Sequence, residues 1–316
     1  MIKILTEGGR KYGFGHIIRC STLINHCHEN NLEYQQYIDS DDLSIEIIKQ
    51  YNGILMDWRN SQFIKKNINY KDIVFIDSYH ATLEHYEMVK NQAKKLFIID
   101  DLCRLPYDGY TIVNPNFCAD LLLCDDNRNE YLYGEKYILL RKEFVGQKNY
   151  VLNKEVKRVL ITFGGSDVLD LTPFLITYLR SLSSRIRIEV VIGLGYTNLA
   201  EIRNVSNEQV NLHYNISARK MAKLMSEVDL GICAAGQTVN EMLRIGCPGC
   251  FIKVVDNQQL NIDYFNKVNR GLIFSKNDLS NIQEICKYEV RNDLKQELSK
   301  IENNNSGAHE LFKYLS

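Results

Sequence analysis

One feature constrains this chain more than any other. Short apolar runs alternate with amphipathic stretches of about a dozen residues along nearly its whole length. The pattern predicts strands at Ile2–Thr6, Tyr34–Ile38, Ile73–Asp77, Leu96–Asp100 and Thr111–Asn114 in the first half. In the second half it predicts strands at Arg158–Phe163, Ile186–Ile192, Val210–Tyr214, Leu230–Ala234, Gly249–Val254 and Leu272–Phe274. Helix-like stretches such as His16–Asn30, Thr82–Ala93, Pro173–Leu182 and Ala218–Glu227 fall between them. Strands that alternate with helices of this length form βαβ units and parallel sheets. Runs such as Val74-Phe75-Ile76 are apolar throughout, as a strand covered by helices on both faces must be. The fold class is therefore α/β.

The chain has 316 residues, enough for two domains. The alternation weakens from about Asp120 to Lys157, and Gly146–Lys154 has the composition of a linker. The boundary is expected within 145–156, giving domains 1–150 and 151–316 with a ligand cleft between them. Open parallel sheets bind ligands beyond the carboxyl ends of their strands.

Composition narrows the function. Lys and Arg number 38 against 39 Asp and Glu, a net charge of -1, without the basic excess of a nucleic-acid protein. No apolar run approaches the roughly 18 residues of a membrane span. Met1–Thr6 reads as a strand rather than a signal peptide, so no membrane insertion and a cytoplasmic location are expected. The nine cysteines read as buried small hydrophobes. Cys247-Pro248-Gly249-Cys250 is a CxxC with no second pair and no nearby histidine, and it falls at a helix-to-strand turn, so no zinc is expected.

Four motifs sit at strand ends. Gly8-Gly9-Arg10-Lys11-Tyr12-Gly13-Phe14-Gly15-His16 follows the first strand and opens a helix. Glycines let backbone approach a ligand, and the N–H groups of a helix start attract an anion. His16 stands at that start, where the helix dipole disfavours imidazolium, so a neutral ring fit to be a general base is expected. A capping histidine beside a structural turn is the plainer reading. Phe163-Gly164-Gly165-Ser166-Asp167 suits a diphosphate, or is a turn whose helix Ser166 or Asp167 caps. Ala234-Ala235-Gly236-Gln237-Thr238-Val239-Asn240-Glu241 offers small residues above a helix start. Glu241 there accepts ribose hydroxyls, or forms a capping box with Thr238. Val255-Asp256-Asn257-Gln258 supplies two amides at a strand end, with Asn257 alternatively a helix cap.

Asp77-Ser78-Tyr79 and Asp100-Asp101 add carboxylates, which come from different strands without an octahedral set, so a divalent metal is not expected. Asp101 alternatively caps the next turn. His26, His28, His80, His85 and His213 fit exposed positions and receive no role.

In this order the motifs resemble a known family. Gly13-Phe14-Gly15-His16-Ile17-Ile18-Arg19-Cys20, Ile76-Asp77-Ser78-Tyr79, Ile99-Asp100-Asp101 and Tyr137 to Phe144 are similar to the UDP-sugar hydrolases of pseudaminic acid biosynthesis. So are Phe163 to Asp167, Ala235 to Thr238, Glu241 and Asn257-Gln258. The resemblance implies GT-B architecture, two Rossmann-like domains facing a cleft, as in the peptidoglycan GlcNAc transferase. It implies hydrolysis of a UDP-linked 2,4-diacetamido-2,4,6-trideoxy sugar: water attacks the anomeric carbon with inversion and UDP leaves, without a metal or cofactor. His16 becomes the base. Gly13, Gly15, Arg19, Tyr79, Asn257 and Gln258 become sugar or water contacts. Gly164, Gly165, Ser166, Ala235, Gly236, Gln237, Thr238 and Glu241 become the UDP site. Two departures stand out: Glu7 where many relatives have Asp, which leaves the sugar contacts open, and Gln237 where Ser is common. A GT-B transferase that passes the sugar to an acceptor, and a nucleotide-sugar binding module without turnover, are the competing readings.

Overall fold

The computed structural model describes residues 1–9, 13–40, 53–122, 128–146, 150–301 and 306–315. Arg10, Lys11 and Tyr12 of the glycine-rich loop lie outside the described residues. The chain forms two compact units, residues 1–142 with 305–316, and residues 143–304.

The first unit carries β1 (Ile2–Gly8), α1 (Gly15–Glu29), β2 (Tyr34–Ser40), β3 (Gly53–Leu55), α2 (Ser61–Asn67), β4 (Ile73–Asp77), α3 (Leu83–Lys90), β5 (Lys95–Ile99), β6 (Thr111–Val113) and β7 (Glu130–Leu132). These strands make a parallel sheet in the order β3-β2-β1-β4-β5-β6-β7. Strand order reverses between β1 and β4, the doubly wound arrangement. Alternate residues of each strand serve opposite cores. Leu5, Val74, Ile76 and Ile98 pack with Trp58, Ile64 and Tyr86 on one face. Ile4, Phe75, Phe97 and Ile99 pack with Leu23, Ala308 and Leu311 on the other. Both faces are dry, which is why the central runs show no polar alternation.

The second unit carries β8 (Arg158–Thr162), α4 (Leu171–Leu182), β9 (Arg187–Ile192), α5 (Leu199–Val205), β10 (Val210–Tyr214), α6 (Ala218–Glu227), β11 (Leu230–Ala234), α7 (Gln237–Ile245), β12 (Gly249–Ile252), α8 (Gln259–Val268), β13 (Leu272–Phe274) and α9 (Tyr288–Leu298). Its parallel sheet runs β10-β9-β8-β11-β12-β13, with the reversal between β8 and β11.

The expected boundary at 150/151 differs from the division by contacts. Tyr150, though in a linker-like stretch, is buried and donates its hydroxyl to the Val228 carbonyl at 2.9 Å, which ties it to the second unit. The chain's end does not stay with that unit either. α10 (Gly307–Phe312) returns to the first, where Gly307 N–H donates to the Ile138 carbonyl at 2.9 Å and Ala308 and Leu311 enter the core.

Candidate functional site

In the first unit the glycine-rich loop leaves β1 and α1 follows, beside the carboxyl ends of β4 and β5. Gly9 N–H donates to the Gly13 carbonyl at 2.9 Å, closing the loop, and Gly13 has φ +73°, a conformation glycine adopts without cost. Gly15 is the first residue of α1 and His16 the second; no side chain caps this helix start. His16 is 5% exposed.

His16 Nδ1 donates to Asp77 Oδ1 at 2.7 Å. An ionised carboxylate only accepts, so Nδ1 carries a proton, and a neutral ring in this place has its lone pair on Nε2. The sequence reading set the ring's state from the helix end alone; the structure adds a buried carboxylate against it. Arg19, one turn on, faces the same carboxylate with Nε at 2.8 Å from Oδ2 and Nη2 at 2.6 Å from Oδ1. Its Nη1 donates to Asp101 Oδ2 at 2.8 Å. Burial pushes the Asp77 carboxyl up, but the charge of Arg19 and the hydrogen bonds from Arg19 and His16 outweigh it and hold the group well below the usual range. Asp101 is lowered in the same contest between burial and Arg19.

Arg19 was expected to touch substrate. All three of its nitrogens instead serve two carboxylates, and the residue is buried. It orients Asp77. Asp101 was offered as a turn cap; Asp100 fills that place, accepting from Leu102 N–H at 2.9 Å, Arg104 N–H at 2.8 Å and the Tyr107 hydroxyl at 2.6 Å. Asp101 instead accepts from the Tyr79 hydroxyl at 2.8 Å. The Tyr79 ring meets His16 edge-on, centroids 4.5 Å apart. Burial and the Asp101 charge raise the Tyr79 phenol far above its ordinary value, so it holds its proton. Among the described residues no group of three or more His, Cys, Asp or Glu is placed to hold a metal ion.

His80, given no role from sequence, donates Nδ1 to Glu7 Oε1 at 2.9 Å. Glu7 itself is fully buried, and both of its carboxylate oxygens accept from residues of its own unit.

In the second unit the reversal between β8 and β11 brings two motifs to neighbouring strand ends. Gly164 and Gly165 form a tight turn after β8, and Ser166 is half-buried. Asp170 holds the N-cap position of α4, and Asp167 satisfies the helix start from upstream, accepting from Leu171 N–H at 3.0 Å, Thr172 N–H at 2.7 Å and the Thr172 hydroxyl at 2.6 Å. A second glycine turn, missed from sequence, packs on this one. Gly195 N–H donates to the Gly165 carbonyl at 2.8 Å, and a Cβ on Gly193 would lie 2.4 Å from the Gly164 carbonyl oxygen.

After β11, Gly236 is the N-cap of α7 and Gln237 and Thr238 are its first two residues. A helix start leaves its first N–H groups without intrahelical partners. Ala235 is different: its N–H donates to the Ile252 carbonyl at 2.9 Å and its carbonyl accepts from Asn261 at 2.8 Å. It shapes the turn and has no N–H to offer. Glu241 is buried in the second turn of α7, so the capping box with Thr238 does not form; Thr238 is inside the helix. Asn257 is exposed within a short 3-10 turn, Asp256–Gln258, and is not the cap of α8. Gln258 is buried, accepts from Val254 N–H at 2.9 Å and lies against Gly236.

Residues 158–314 match the glycosyltransferase family 28 C-terminal domain. The chain is 30% identical over 288 residues to an uncharacterised protein of Methanocaldococcus jannaschii, covering 85% of this chain and 59% of that protein. It is 24% identical over 291 residues to a Helicobacter pylori protein, covering 89% of this chain and 49% of that one. The latter is named pseudaminic acid cytidylyltransferase and UDP-2,4-diacetamido-2,4,6-trideoxy-beta-L-altropyranose hydrolase. The chain thus spans about half to three fifths of these two relatives. A glycosyltransferase from Rickettsia africae superposes with a TM-score of 0.60 at 11% identity, covering 99% of this chain and 97% of that one. No helix among the described residues is long and apolar enough to cross a membrane. With two doubly wound parallel sheets and these neighbours, the chain has the α/β fold of the GT-B glycosyltransferases, and its residues 158–314 match the family 28 C-terminal domain.

Proposed function

We propose that this chain is an enzyme acting on nucleotide sugars, and that it hydrolyses a UDP-linked 2,4-diacetamido-2,4,6-trideoxy sugar to UDP and the free sugar. The observation that carries the reading is the 2.7 Å contact between His16 Nδ1 and Asp77 Oδ1. A base held in one tautomer by a buried carboxylate is what activation of water requires. The Helicobacter pylori relative with the hydrolase in its name supports the choice of substrate.

In this reading His16 Nε2 takes a proton from water as the water oxygen bonds to the anomeric carbon. The bond from that carbon to the UDP oxygen breaks, and the sugar leaves with inverted configuration. Asp77 stabilises the imidazolium that forms, and Arg19 keeps Asp77 ionised and in place. Gly164, Gly165, Ser166, Gly236, Gln237 and Thr238 hold the diphosphate on backbone N–H groups and the start of α7, with Glu241 on the ribose. Fixed dipoles then carry the leaving group's charge, so the reaction calls for no metal or cofactor. Gly13, Gly15, Tyr79, Asn257 and Gln258 are left as the sugar and water contacts.

The family 28 match favours a second reading, a transferase that hands the sugar to an acceptor. Incubation with UDP-sugars separates the two. UDP released without acceptor supports hydrolysis, release only with acceptor supports transfer, and binding without release supports a binding module.

A further inference from the structure

Glu7, next to last in β1, has no exposed surface, yet it collects four donors. Its Oε1 accepts from Tyr79 N–H at 2.8 Å and His80 Nδ1 at 2.9 Å. Its Oε2 accepts from the Ser78 hydroxyl and from Arg59 Nη1 at 3.2 Å. Three of these donors are consecutive residues of the turn that follows β4. The same turn is tied from within, because Ser78 Oγ accepts from the N–H groups of His80 and Ala81, each at 3.0 Å. Arg104 closes it from the far side, with Nη2 at 3.2 Å from the Ser78 carbonyl and 2.9 Å from the Ala81 carbonyl. What the turn presents is the Tyr79 ring, edge-on to His16.

A turn tied to one acceptor places its side chain only as well as that acceptor is placed. Here the acceptor is a carboxylate on β1, an interior strand of the sheet paired with β2 and β4. Burial raises the Glu7 carboxyl, but hydrogen bonds from Ser78 and His80 outweigh it, so the group stays ionised and keeps all its acceptor sites. A neutral side chain of the same shape offers one acceptor oxygen instead of two. The hydrogen bonds of the carboxylate go to Arg59, Ser78, Tyr79 and His80, so it acts on His16 through the turn.

We propose that Glu7 is a positioning residue: by fixing the Ser78–His80 turn it sets the Tyr79 ring against His16 and so aims the imidazole. Its effect on turnover rests on the hydrolase reading; its effect on the ring does not. Displacement of a reacting group by about 1 Å costs about 10²-fold in rate.

The test is nitrogen-15 histidine NMR on the ligand-free protein, read beside the rate of UDP release. The His16 resonances are assigned by their loss in His16→Gln, and those of His26 and His213 serve as internal standards. In Glu7→Ala the carbon-bound protons of His16 should leave their wild-type positions as the Tyr79 ring moves, while His26 and His213 stay. The kcat should fall about 10²-fold with KM little changed. Glu7→Gln, which keeps an oxygen for Tyr79 N–H, should restore most of both. If Glu7→Ala does not fold, Ser78→Ala loosens the same turn and should move the same resonances. Unmoved His16 resonances with a normal rate and only a lower melting point would overturn the proposal, as would a Gln variant as damaged as Ala. Resonances that move as expected in a protein that never releases UDP would support the positioning and remove the hydrolase reading.

Discussion

His16 Nδ1 lies 2.7 Å from Asp77 Oδ1, although 61 residues separate the two in the chain. Neighbouring parallel strands, β1 and β4, bring them together at the reversal of strand order. The carboxylate has Arg19 on its other edge, so its orientation is fixed from two sides.

Asp77→Asn tests that relationship at constant volume. The amide has a donor where the carboxylate has an acceptor, so it permits the wrong imidazole tautomer. Turnover should fall about 10²–10⁴-fold. Loss of one partner from a buried charge pair typically costs about 3–5 kcal/mol, and Arg19 keeps Asp101, so the lower end of that range is expected. Urea unfolding measures the second effect and UDP release the first. A destabilised variant with a near-normal rate would leave Asp77 a purely structural residue.

Gly193→Ala probes the second unit. The new methyl would stand 2.4 Å from one carbonyl oxygen of the Gly164-Gly165 turn and 2.6 Å from the other. The turn must move, at a cost of about 1–3 kcal/mol. UDP affinity by titration calorimetry should drop about tenfold or more. Unchanged affinity would show that this turn does not hold the diphosphate.

Glu241→Ala distinguishes ligand binding from helix stability. Because Gly236 caps α7, Glu241 has no capping role to lose. A lost charge-assisted hydrogen bond to ribose is worth about 1.5–3 kcal/mol, so UDP should bind roughly 10- to 150-fold more weakly. Normal affinity with a lower melting point would make Glu241 a core residue only.

Acid should unfold the first unit in two stages. Glu7, Asp77 and Asp101 all have folded values below the ordinary range. Unfolded carboxyls therefore take up protons first, and the stability these groups give is full above about pH 4–4.5 and lost as pH falls through the folded values. His26 and His85 are lowered too, chiefly by burial, so a smaller decline begins near pH 6.5. Urea melts from pH 7 to pH 3 read both stages. Stability that stayed flat to pH 3 would contradict the buried charge pairs.

The fold was legible where burial is complete. Val74-Phe75-Ile76 gives a strand because both faces are covered, and Ile73–Asp77 and Leu230–Ala234 fall where the pattern predicts; the partly exposed edge strands Val210–Tyr214 and Leu272–Phe274 do so as well. Gly53–Leu55 and Glu130–Leu132 were missed, because three residues at a sheet edge need no apolar run. His16 was legible as a helix start after a glycine loop. Its pairing with Asp77 was not, since strand order decides it and local sequence does not. Glu7, read as a departure that left the sugar contacts open, is a buried hub whose partners come from 52 to 73 residues away. Gly193 and Gly195 carry no signal of their own; only the turn they pack on reveals them.

Time-resolved proton NMR of the UDP-linked diacetamido sugar, with wild type and His16→Gln side by side, bears most directly on the central claim. Wild type should yield UDP and, as the first-formed product, the inverted anomer, while His16→Gln should bind UDP normally and turn over about 10²–10⁴-fold more slowly. A retained anomer, or a His16→Gln variant as fast as wild type, would contradict the account.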